Sequence, residues 1–142
     1  MEPKDLAFAA AHVLDDKKAT DVVIADVSEV ADITDFFVIA TGTTNRHVDS
    51  LVDDVEDTLK LEGAEPIAIE GREECSWALI DYGPVIVHLF QPQARQFYRL
   101  EHLWANARYY DVVDGEIVER PRPEVPQAEG EASAAPADGQ PA

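Results

Sequence analysis

The chain has 142 residues, with 11 Lys+Arg against 29 Asp+Glu and a formal charge of −18. That length suits one domain with a real core rather than two, and a hydrophobic share of 46% excludes a wholly disordered chain. The charge argues against a free-standing grip on DNA, RNA or an anionic membrane, and favours basic partners.

Residues 3–18 read as a helix. Pro3 suits its first turn, Leu6, Ala10, Val13 and Leu14 mark one face, and Lys17 and Lys18 suit its negative end. Residues 21–27 (DVVIADV) and 35–41 (DFFVIAT) are β-branched, apolar runs without Gly or Pro, so both predict buried strands. The short link SEVADIT has room for one helical turn. After Gly42, Thr43 or Thr44 can cap a helix reaching about Lys60, with an apolar stripe at Val48, Leu51, Val52, Val55 and Leu59. Short strands follow at 66–69, 76–81 and 85–90. The last two are joined by Tyr82-Gly83-Pro84, a tight turn that predicts a hairpin. Pro92 opens a final helical stretch, pinned by Phe97, Leu100, Leu103 and Trp104. The order α-β-β-α-β-β-β-α predicts an α/β (α+β) domain over residues 1–110, a mixed five-stranded sheet flanked by helices. Residues 111–118 read as a short frayed extension. Residues 119–142, with five of the nine prolines and Val125 as their lone branched aliphatic, read as a disordered tail.

Few residues suggest chemistry. The lone Cys75 permits no internal disulfide and no Cys-rich zinc site, and the histidines form no HExxH pattern, so no metal is expected. No apolar run approaches the roughly 20 residues of a membrane span, and Glu2 and Asp5 do not suit a signal or transit peptide, which points to the cytoplasm. The loop TGTTNRH (Thr41–His47) lies between strand and helix. It reads either as a capped helix start or as an anion site built from backbone N–H groups with Thr43, Arg46 and His47. It contains neither a Walker loop nor a GxGxxG pattern. No strand carries the Asp-x-Asp pair that metal-dependent nucleotidyl transfer uses, and the abundant acids of the 45–60 helix read as a solvated face. His88 reads as a satisfied sheet histidine or as a surface contact. Trp77, beside Asp81 and Tyr82, reads as packing or as a protein–protein anchor.

Four segments taken together are more specific. TDFFVIATGTTNRHV (34–48), Ile69-Glu70-Gly71, WALIDYGPVIVHLF (77–90) and RQFYRLEHLW (95–104), in that order, resemble the Iojap family, whose bacterial members are ribosomal silencing factors (RsfS). The resemblance covers about residues 6–104. It implies a nucleotidyltransferase-like fold without the enzyme's metal-binding carboxylates, hence no enzyme activity and no cofactor. It also implies binding to protein fourteen of the large ribosomal subunit, a steric block to subunit joining, and lowered translation when nutrients are short. Isolated members are often dimers, so a homodimer is a further expectation. Carried onto this chain, the motifs nominate Glu70, Trp77, Asp81, Tyr82, His88 and Tyr98 as partner-binding. Pro84 departs from the pattern, standing where the family usually has an acid after the D-Y-G turn. The competing reading is a nucleotidyltransferase-like enzyme that binds a nucleotide at Thr41–His47.

Overall fold

A computed structural model of the chain describes residues 2–98 and 107–120. Helix α1 spans Pro3–Asp16, with strands β1 (Thr20–Asp26) and β2 (Phe36–Thr41) after it. Helix α2 (Asn45–Leu61) leads to β3 (Ala68–Glu70), β4 (Trp77–Asp81) and β5 (Val85–Phe90). Then come α3 (Pro92–Tyr98), β6 (Arg108–Val113) and β7 (Glu116–Glu119). Of the residues expected to pin the last helix, Leu100, Leu103 and Trp104 lie outside the described residues, as does the side chain of Phe97.

The strands form one mixed sheet in the order β3-β4-β5-β2-β1-β6-β7. Neighbours are antiparallel except β2 and β5, which run parallel with Phe36 beside Val85. The sheet therefore has seven strands among the described residues, not five. The segment read as a frayed extension is most of the β6–β7 hairpin, which adds two strands on the β1 side. Its turn is Asp114-Gly115, both at positive φ (52° and 81°), the backbone that a two-residue hairpin with right-handed twist requires.

Both long helices lie on one face of the sheet. The α2 stripe Val48, Leu51, Val52, Val55 and Leu59 is fully buried there, against Ala7, Ala10, Ala11 and Leu14 of α1 and against Ile24, Val38, Ile80, Val87 and Leu89 of the sheet. Burial of each such large side chain stabilises by roughly 1.5–3 kcal/mol. Gly42 permits this approach, since a Cβ there would meet Val48 Cγ2 at 2.8 Å. The sheet's other face carries a smaller cluster: Ala25, Val27, Phe37, Ile39, Ile86, Phe90 and Ala107. Two long-range bonds lock the β1–β2 link to the β4–β5 turn. The Thr34 hydroxyl donates to the Gly83 carbonyl (2.9 Å), and the Asp35 N–H donates to the Pro84 carbonyl (3.0 Å). Within that link, the Ala31 N–H reaches the Val27 carbonyl (2.8 Å), closing one helical turn.

Candidate functional site

Alternation along β4 decides which side chains face away from the long helices. Ala78 and Ile80 are buried beneath those helices, while Trp77, Leu79 and Asp81 are half-buried on the opposite face. Trp77 pairs across the ladder with Phe90 and Leu79 with His88. The Trp77 and Phe90 rings stack at 5.1 Å and 28°. The indole N–H donates diagonally to His88 Nδ1 (3.0 Å), and Phe37 meets the His88 ring edge-on at 4.9 Å.

An indole nitrogen can only donate, so His88 must accept at Nδ1 and carry its proton on Nε2. His88 is only 5% exposed, and burial pushes its pKa down to about 3, which keeps the ring neutral. Its Nε2 has no hydrogen-bond partner among the described residues. A buried donor left in that state costs about 1–3 kcal/mol. His88 is thus neither a surface contact nor a fully satisfied sheet histidine: it is buried beside Trp77 and accepts its indole N–H.

The other nominated residues separate. Glu70 is exposed and pairs with Leu79, which puts it on the same face as Trp77 at the edge of the sheet. The Asp81 carboxylate accepts the Gly83 N–H (2.8 Å) and so shapes the turn, where Gly83 sits at φ +94°. Tyr82 departs from its expected place on the surface. It is 6% exposed and belongs to the core under α1 and α2, because alternation turns it to the opposite side from Asp81. Burial, with a smaller push from Glu56, raises its phenol to about 12. Tyr98 ends α3, and its side chain lies outside the described residues.

Several groups of the Thr41–His47 loop are engaged in holding the fold. Thr44 caps α2, its hydroxyl accepting the His47 N–H at 3.0 Å. His47 Nδ1 accepts the Thr43 N–H (3.1 Å), which leaves its Nε2–H to donate to the Lys17 carbonyl (3.1 Å). His47 therefore clips the end of α1 to the start of α2. Arg46 is exposed in the first turn of α2, and the Asn45 side chain bonds Gln91. The geometry favours the capped-start reading over an anion cradle.

Two arginines matter more than their sequence context suggests. Arg95, 8% exposed, donates to the Asp21 carbonyl (2.6 Å) and to the Thr41 hydroxyl (2.9 Å), tying α3 to β1 and β2. Arg72 bonds Asp49 at 2.7 Å and also Asp53, with Glu56 at 4.0 Å, so part of the acidic α2 face is bridged rather than merely solvated. No other Lys or Arg stands between Lys60 and Arg95, a signal present in the sequence. Among the described residues no group of His, Cys, Asp and Glu side chains gathers to hold a metal, and no helix is long and apolar enough to cross a membrane.

A family model described as "Ribosomal silencing factor during starvation" matches residues 1–140. The chain is 32% identical over 112 residues to ribosomal silencing factor RsfS of Bacillus subtilis, covering 79% of this chain and 95% of that one. It is 41% identical over 94 residues to RsfS of Haemophilus influenzae, covering 66% and 92%. A crystal structure of a protein from Chromobacterium violaceum superposes with a TM-score of 0.71 at 35% identity, covering 73% of this chain and 87% of that one.

Proposed function

The chain belongs to the ribosomal silencing factor family, and from that premise we propose that it represses translation by occupying the large ribosomal subunit and blocking its union with the small one. Its partner in this reading is the one the family resemblance implies, protein fourteen of the large subunit. The observation that carries the reading is the face of β3 and β4. There a half-exposed Trp77 is fixed by Phe90 and His88, with the carboxylates of Glu70 and Asp81 on the same face. Pinned aromatics dominate protein interfaces, and acidic neighbours steer basic proteins. The mechanism needs occupancy and no turnover. The nucleotide-binding alternative loses support, because the Thr43 N–H and the His47 ring are already engaged with each other and with Lys17.

The test is co-sedimentation with separated subunits. Trp77→Ala combined with Asp81→Asn removes the anchor and one charge, while the amide oxygen still accepts the Gly83 N–H. The double variant is expected to stay folded and to bind large subunits at least about 30-fold more weakly, since loss of a hot-spot side chain costs about 2 kcal/mol or more. Wild-type sedimentation of the folded double variant sinks the interface. Micromolar, Mg²⁺-dependent ATP or CTP binding in calorimetry would favour the enzyme reading instead.

A further inference from the structure

Strand β5 is Val85-Ile-Val-His-Leu-Phe90, buried along its whole length. Every side chain in it except one is a hydrocarbon, and packing alone gives no reason for the exception. At position 88 a leucine would fill a similar space with no imidazole to desolvate and no Nε2–H left without an acceptor among the described residues. What a leucine lacks is a lone pair for the Trp77 indole.

That lone pair does something stacking cannot. Stacking on Phe90 holds the plane of the Trp77 ring but survives a flip of the ring about its Cβ–Cγ bond, which exchanges the two edges of the indole. The N–H···Nδ1 bond is satisfied at one orientation. His88 is itself fixed, because a flip of its ring would replace Nδ1 with a carbon and leave the indole N–H unpaired. Phe37 against the edge of the imidazole and Phe90 alongside it hold the plane of that ring.

We propose that His88 is a positioning residue for the docking surface: through Nδ1 it sets which edge of Trp77 faces outward, so that a partner protein meets a ring already in its bound orientation. This rests on the docking reading above. Its effect falls on affinity more than on folding. A ring that had to be ordered during binding would weaken docking about five- to tenfold.

Two variants whose side chains share one branched shape isolate the lone pair. His88→Asn keeps an acceptor near the position of Nδ1, and His88→Leu does not; both lose the same ring contacts with Phe37 and Phe90. The full-length chain is titrated against purified large subunits. In parallel, the Trp77 indole N–H is followed in ¹⁵N–¹H spectra, assigned with Trp104→Phe because the chain has two tryptophans. H88N should bind within about twofold of wild type and keep the hydrogen-bonded indole resonance. H88L should bind about five- to tenfold more weakly, with the resonance displaced and an unfolding midpoint no lower than that of H88N. Wild-type affinity in H88L, equal weakness in both variants, or an unmoved resonance in H88L overturns the assignment. Wild-type protein that leaves large subunits unbound refutes the docking reading and this role with it, whereas a tight-binding H88L refutes the role alone.

Discussion

Replacing His88 by Leu should flatten the pH dependence of stability on the acid side. Burial holds the folded imidazole near pKa 3, against about 6.5 for an ordinary histidine in the unfolded chain. Between those values the unfolded state binds the proton and the native state does not. This contribution to stability is therefore complete above pH 6.5 and is lost progressively as pH falls toward 3. By about pH 5 the unfolded histidine is almost fully protonated, so the native state has lost about 2 kcal/mol relative to pH 7. No charged neighbour contributes to the shift, so the effect belongs to burial alone. Every other ionisable group is common to the two proteins, so its effect cancels in the comparison. Urea unfolding followed by circular dichroism at pH 7 and pH 5 should show the wild type losing about 2 kcal/mol more than His88→Leu. Parallel losses in the two proteins would mean that His88 is solvated or already charged in the native state, and the argument from burial would fail.

Gly71→Ala should be among the most damaging small substitutions. A Cβ at Gly71 would lie 2.1 Å from the Trp77 carbonyl oxygen, at φ +76°, so backbone must move. A loss of about 2–4 kcal/mol in urea unfolding is expected from the left-handed strain and the displaced loop; an unchanged midpoint would show that the β3–β4 loop is not closed this tightly. Thr44→Ala should cost about 1 kcal/mol by uncapping α2, and Thr44→Ser should restore most of it. Equal stability of the Ala and Ser variants would remove the cap from the account.

The legible parts of the fold were those in which one local rule decides the outcome. The five-residue stripe of α2 is buried as its spacing predicts, and the Tyr82-Gly83-Pro84 turn joins an antiparallel pair. The β6–β7 hairpin stands where a frayed extension is expected, although its signal is present: Asp114-Gly115 between Asp111-Val-Val and Glu116-Ile-Val is a two-residue turn flanked by β-branched runs. Within the candidate site, the alternation that groups Trp77 with Asp81 also buries Tyr82, so two residues adjacent in sequence part company in space. The bond between Trp77 and His88 could not be read along the chain, because it depends on the β4–β5 register and crosses the ladder diagonally.

The place of β6 in the sheet bears on where this chain can be shortened. The chain turns from mildly basic to acidic near residue 110, where the predicted domain ends, and that invites a cut there. Such a cut falls inside Arg108–Val113 and strips β1 of the partner that covers Val23–Asp26. β1 is an apolar strand, and it would be left with a row of unpaired amides and carbonyls open to any passing chain, the geometry from which edge-to-edge aggregation starts. Among the described residues that outer position passes to β7, four residues long and bounded by Glu116 and Glu119, with Arg120 closing its end on Asp111. Short length and charge are what keep an outer strand from recruiting neighbours, so the hairpin acts as the sheet's solubility guard.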